Sequence, residues 1–262
     1  MEQREPDYFK AEMRSGAVLQ RFGIDAPKFD IRDIAWGLGV EVKIGGVSGG
    51  DARIVKTEEG RGIIRLNPAV TEPTRQRFSI AHELGHWELH PKLPQGYVCT
   101  AADLRDYGRS PEEAEANWFA ATLLMPKFLI PPATFKQDPK LEFVKKLAKD
   151  FGTSLTAAAR RFVELSNQPV VLVASSQGRV AWCAHSKSAK AKYYFFKTGT
   201  PIPADSVTAD VRKDQATDIR GDTMSPKVWF PTYSFDREAE LFEDVRYSPD
   251  FDGALTLLWI PS

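Results

Sequence analysis

The sequence predicts an α+β chain whose helices and strands are segregated along its length. Three observations carry that expectation. Apolar residues recur at helical spacing through most of the first 166 positions. A short group of strand-like runs interrupts them between residues 40 and 66. From Pro169 onward the texture turns β-rich, with VVLVASS, RVAWCA, KYYFFK and ALTLLWI separated by turn residues.

Residues 8–23 carry Phe9, Met13, Val18, Leu19 and Phe22 at helical intervals, with Gly23 as the stop. Asp30 is placed to cap a short helix ending at Leu38, and Val40–Ile44 then alternates as a strand. Gly45–Gly50 reads as a loop, Ala52–Val55 as a strand and Glu58–Gly62 as a turn. Gly62–Leu66 reads as a further strand, placed where an edge would be useful for pairing with an extended peptide. A helix is expected from Pro73 to His90, ended by Pro91 and Pro94. After a loop over residues 95–110, Ser110 caps a second long helix. Pro111 takes its first position, Glu112 and Glu113 its first turn, and it stops before Pro126. Residues 127–166 read as helical, and the change of texture places a boundary near Asn167.

Composition narrows the function classes. The 262 residues hold 35 basic and 35 acidic side chains, so bulk charge draws the chain neither to nucleic acid nor to a membrane. No apolar run approaches the roughly 18 residues of a membrane span, and the charged N-terminus MEQREPDYFK is not a secretory signal. Cys99 and Cys183 are the only cysteines, which argues for free thiols in a reducing compartment. The expectation is a cytoplasmic protein with no membrane partner.

The chemistry concentrates at His82-Glu83-Leu84-Gly85-His86, an HExxH pattern. Residues four apart lie one turn apart on one helical face, so two imidazoles can reach one metal ion. Glu83, between them, is placed to act as a general base toward a water activated at the metal. With four histidines in the chain, chance matches arise in on the order of a few per thousand such chains. Gly85 costs a helix about 1 kcal/mol relative to Ala, which points to close packing at that position.

A catalytic zinc needs a third protein ligand. His90 would give HExxHxxxH, but eight residues turn a straight helix by about 80° and advance it about 12 Å. His90 is therefore read as a residue at the helix end, near its negative pole. The second helix opens with Glu112, Glu113 and Glu115 on or near the face that carries Ala116, Phe119, Ala120, Leu123 and Leu124. Geometry from spacing does not choose among the three.

RQRFSIAHELGH followed by EEAEANWFAATLLMP resembles the ImmA/IrrE family of metallopeptidases. In that family the third ligand is the Glu four residues before the Asn of the second motif. The resemblance thus implies Glu113, counted from Asn117, with His82 and His86 as the other zinc ligands and Glu83 as the base. Glu112 and Glu115 stay as alternatives. KLAKDFGTSLTAAARRFVELS resembles the helix-turn-helix-like segment of the IrrE branch, and Pro169–Ser262, with YFFKTGTPIPAD, is similar to its GAF-like domain. The implied architecture is a zincin-like peptidase domain (1–126), a helix-turn-helix-like segment (127–166) and a GAF-like sensor domain (167–262) responding to a small molecule or other signal. The implied activity is site-specific cleavage of an XRE-type helix-turn-helix repressor, relieving repression of stress-response or mobile-element genes. The cofactor would be zinc, with manganese as a substitute in the cell.

The alternative reading is a DNA-binding regulator with a structural zinc site. Leu141–Leu165 would be its helix-turn-helix, with Lys145, Lys146, Lys149, Arg160 and Arg161 facing phosphates. Few base-reading side chains follow Ser154, so a packed helical pair with a solvated basic face is preferred. Tyr97 and Tyr107 are candidate oxyanion donors or packed loop aromatics. Cys99 is read as an inert thiol, and His185 as a loop residue. Trp182, Tyr193, Phe195 and Trp259 either line a sensor pocket or, at strand spacing, form core.

Overall fold

The computed structural model describes residues 4–47, 50–90, 110–192, 195–236 and 238–261. The chain divides into two compact units: Met1–Ile130 with Lys149–Ser154, and Pro131–Ala148 with Leu155–Ser262. The fold is mixed α and β, with one sheet of three strands and one of five. Among the described residues no helix is long and apolar enough to cross a membrane.

The first unit is built on four helices, α1 (Tyr8–Arg21), α2 (Ile31–Gly37), α3 (Pro73–Leu89) and α4 (Pro111–Leu124), and three strands, β1 (Val40–Ile44), β2 (Ala52–Lys56) and β3 (Gly62–Leu66). Two caps are those the sequence indicates: Asp30 accepts from the Arg32 N–H and Ser110 from the Glu113 N–H. A third, Asp7, accepts from the Lys10 N–H.

Two expectations change here. The strand order is β1-β3-β2, so Gly62–Leu66 is the central strand and not an edge. It pairs parallel to β1 and antiparallel to β2. Its buried Ile64 and Leu66 explain the position, since the most apolar run gains most from neighbours on both sides. On α1, Phe9 and Met13 face outward, at 77% and 59% exposure. The buried face is Ala11, Ser15, Val18 and Leu19, because small residues let α1 lie close to α4. There Ser15 Oγ and Thr122 Oγ1 share a hydrogen bond of 2.7 Å.

From Ser79 to His86, every residue of α3 is buried. A helix enclosed on all sides must be covered by several partners, and α3 packs against α1, α2, α4, β2 and β3. The core joins Ile80, Ala81, Leu84 and Leu89 of α3 with Phe119, Ala120, Leu123 and Leu124 of α4 and Ile64 and Leu66 of β3.

Beyond Ile130 run short 3-10 turns, then α5 (Leu141–Phe151) and α6 (Leu155–Leu165). The second unit continues with β4 (Val170–Ser176), β5 (Arg179–His185), α7 (Lys187–Ala191), α8 (Val207–Asp214), β6 (Ile219–Met224), β7 (Leu241–Ser248) and β8 (Gly253–Trp259). The sheet is antiparallel throughout, in the order β5-β4-β8-β7-β6. Buried Glu243 on β7 ties α8 to it, accepting from the Thr208 N–H and Oγ1, the Val207 N–H and Trp229 Nε1. Burial nonetheless pushes this carboxyl above its usual range.

The expected strand over KYYFFK does not form among its described residues. Phe195, Phe196 and Lys197 are irregular, and Phe196 turns in to pack on Trp229 and Phe230. The strands β6 and β7 and helix α8 escaped the sequence reading, because β6 is polar and β7 is interrupted by Glu243, Asp244 and Arg246.

Several basic side chains of the helical pair are occupied. Arg160 lies 3.7 Å over the ring of Trp182, Arg161 is buried and pairs with Glu164 at 3.4 Å, and Lys145 pairs with Glu142. Of the C-terminal aromatics, Trp259 stacks on Phe242 at 4.9 Å and Phe195 lies against His185. Tyr97, Cys99, Tyr107 and Tyr193 lie outside the described residues.

Candidate metal centre

The centre is formed where α3 crosses α4. His82, Glu83 and His86 come from the enclosed stretch of α3, and Glu113 from the first turn of α4. Their exposures are 0, 1, 2 and 2%, so neither histidine lies at the surface. Glu113 spans both imidazoles, Oε2 at 3.2 Å from His82 Nε2 and Oε1 at 3.2 Å from His86 Nε2. The two Nε2 atoms are 3.1 Å apart. Among the described residues these three side chains form a cluster able to hold a metal ion, with ligand atoms within 4.8 Å of one another.

The donors fit zinc. A tetrahedral ion with bonds of about 2.0–2.1 Å has ligand–ligand edges of about 3.3–3.4 Å, close to the separations seen. Two neutral imidazoles and one carboxylate also make a donor set that leaves a fourth position open.

Each imidazole is turned by a second partner. Asn117 Oδ1 lies 3.0 Å from His82 Nδ1. A carbonyl oxygen only accepts, so Nδ1 carries a proton and Nε2 is the atom presented to Glu113. On His86, Nδ1 lies 3.1 Å from His90 Nδ1, and His90 Nε2 lies 2.8 Å from Glu115 Oε2. Glu115 is itself bound by Arg4 and by the Asp7 N–H, at 2.7 Å. Glu112 turns outward to Arg4 at 3.1 Å. Of the three carboxylates that the sequence left open, Glu113 is therefore the one facing the histidines.

The electrostatics match a pocket shaped for a cation. Burial works against the Glu113 carboxylate, but hydrogen bonds from His82 and His86 outweigh it and hold the group well below the usual range. Burial also opposes charge on His82, yet Glu113 and the nearby Glu83 raise it. His86 goes the other way, pushed down to about 4 by burial and by the neighbouring His82.

Glu83 points toward the sheet, and its Oε2 accepts from the Ile54 N–H of β2 at 2.9 Å. Residues 51 and 57, which flank that strand, bond toward the β3 side. By alternation the N–H groups of Ala52, Ile54 and Lys56 face away from β3, toward Glu83.

Residues 37–163, which include both motif helices, match the family model Peptidase_M78, the IrrE N-terminal-like domain. Over this segment, just under half of its length, the chain is similar to that family. Two relatives agree: the radiation response metalloprotease IrrE of Deinococcus radiodurans, 28% identical over 170 residues, and that of Deinococcus deserti, 30% identical over 164. Each match covers 56% of this chain. It spans 50% of the first relative and 56% of the second, so the chain covers about half the length of the IrrE proteins it matches. A solved Mycobacterium tuberculosis transcriptional regulator shares the fold over 96% of this chain and 76% of that one. Its TM-score is 0.63 and its identity 13%, a likeness of fold alone.

Relative to this family-like pattern, the sequence reading passed over the supporting roles of Asn117, His90 and Glu115. A signal existed, since Asn117 follows Glu113 by four residues and His90 follows His86 by four, the spacing of one helical face.

Proposed function

We propose that this chain is a zinc-dependent endopeptidase in which His82, His86 and Glu113 hold the ion and Glu83 is the general base. The reading rests on one observation. Two imidazoles and a carboxylate converge in a buried pocket next to a buried glutamate that touches a strand edge. When bound, the ion would supply Lewis acidity, polarising the scissile carbonyl and lowering the pKa of water at the site. His82 and His86, fixed through their Nδ1 atoms, keep their Nε2 atoms aimed inward. Glu83 takes the proton of the attacking water and passes it to the leaving amine. Beside the Ile54 N–H, which Glu83 takes, the outward edge of β2 at Lys56 offers an extended peptide a main-chain partner.

The substrate proposed is an XRE-type helix-turn-helix repressor, cut at one site in a stress response. Support comes from the likeness of residues 37–163 to the IrrE N-terminal-like domain and from relatives named for the radiation response. We further propose that residues 127–166 and 167–262 act as a docking segment and a GAF-like sensor domain, in a cytoplasmic protein. The occupied arginines of α6 favour packing over DNA contact.

The test is incubation with the repressor encoded beside the gene, with and without chelator, read by mass spectrometry. One new pair of termini that chelator abolishes supports the proposal. An intact repressor together with many-site cutting of casein points instead to a general peptidase.

A further inference from the structure

We infer that His90 and Glu115 are positioning residues for the metal centre, and that the segment Arg4–Asp7 holds them in place. The inference rests on the metal-site reading above. It concerns a continuous line of hydrogen bonds: His86 Nδ1 to His90 Nδ1 at 3.1 Å, His90 Nε2 to Glu115 Oε2 at 2.8 Å, then Glu115 to the Asp7 N–H at 2.7 Å and to Arg4 at 2.8 Å.

One arrangement of protons along this line presents the His86 Nε2 lone pair to the ion. The Glu115 carboxylate, bound by Arg4 and by the Asp7 N–H, accepts. His90 Nε2 must therefore donate to it. His90 Nδ1 then lies opposite His86 Nδ1 as the acceptor. His86 Nδ1 faces that acceptor and must donate, so the lone pair of His86 is on Nε2, the atom that faces His82 and Glu113. The relay thus selects the tautomer and ring angle that a metal requires, as a carboxylate does behind a metal-bound histidine elsewhere.

The two histidine ligands are supported differently. His82 is turned by Asn117 of α4 directly, whereas His86 is turned through a second imidazole anchored to residues that precede α1. Arg4 and Asp7 lie more than 70 positions before His86 in sequence, yet only Glu115 and His90 stand between them and it. Retention of the ion is therefore coupled to the docking of that N-terminal segment.

The experiment compares zinc affinity of the full chain, by competition with a chromophoric chelator, for His90→Leu and His90→Asn. The Asn carbonyl oxygen takes the position of Nδ1 and can accept from His86, as Asn117 does for His82, while Leu only fills space. The expected result is a loss of about 10–100-fold for His90→Leu, with most of the affinity restored in His90→Asn. Arg4→Ala, at an exposed position, should weaken binding several-fold without loss of folding. Nitrogen-15 shifts of His86 should report one tautomer in the parent and a mixture in His90→Leu. A packing role would give the reverse ranking, Leu retaining affinity and Asn losing it, and would overturn the inference. So would equal affinity in the parent and His90→Leu. The metal-site reading fails separately, if His86→Ala binds zinc as tightly as the parent.

Discussion

Gly85 on α3 lies against the backbone of Ala116 on α4. A Cβ at Gly85 would come within 3.0 Å of the Ala116 Cα and carbonyl oxygen, and 3.3 Å from its Cβ. The missing side chain lets the two helices approach until His82 and His86 meet Glu113. In Gly85→Ala the gain in helix propensity, about 1 kcal/mol, competes with overpacking of about 1–3 kcal/mol. The obstacle is backbone, which cannot rotate aside, so we expect net destabilisation of up to about 2 kcal/mol in urea unfolding. Zinc affinity should fall with it. Unchanged affinity would mean that the helices can part without disturbing the centre.

Glu83 is buried, and its bond to the Ile54 N–H fixes its carboxylate without involving it in the three-ligand cluster. Glu83→Gln keeps the shape and removes the base. Repressor cleavage should fall by at least about 100-fold while bound zinc, measured by elemental analysis, stays at the parent level. Undiminished cleavage with metal still bound would remove Glu83 from the base role.

Asn117 presents its carbonyl oxygen to His82 from inside the core. Asn117→Ala should weaken zinc binding by about 10–100-fold, and Asn117→Asp, which keeps an acceptor in place, should recover much of it. Chelator competition at one pH measures both.

The metal-free pocket has a pH signature. The His82 pKa is raised, so its contribution to stability is fully present below about pH 6.5 and is lost as pH rises through the folded value. The Glu113 pKa is lowered, so its contribution is present above about pH 4.3 and is lost as pH falls through the folded value. Both contributions coexist between about pH 4.3 and 6.5, where the metal-free protein should gain most from the pair. Zinc must displace the His82 proton, so its apparent affinity should fall about tenfold per pH unit below the His82 value. Calorimetry in buffers of different ionisation enthalpy should record about one proton released per ion bound. Affinity that does not vary with pH would contradict the His82–Glu113 pairing.

Helix boundaries were legible where residues carry their own stop signals. Asp30 and Ser110 cap helices, and Pro73 and Pro111 occupy first turns as local chemistry requires. The second unit was less legible. Its β7 hides Glu243 inside the sheet, where composition alone reads a charged surface residue. Phe195 and Phe196 have strand-like side chains but serve an aromatic cluster outside any strand.

The sequence by itself determined the donors and their spacing on α3, because helical periodicity is local and places His82 and His86 on one face. It also signalled, through Gly85, that something must lie close. Only the tertiary structure decided what lies there. Spacing could not choose among Glu112, Glu113 and Glu115, because all three satisfy the same first turn, and the choice depends on how α4 crosses α3. The same holds for the sheet and the relay. Periodicity says which residues share a face, but the element opposite that face is fixed by packing over the whole unit. That packing made β3 central, turned Phe9 and Met13 outward and brought Arg4 behind Glu115.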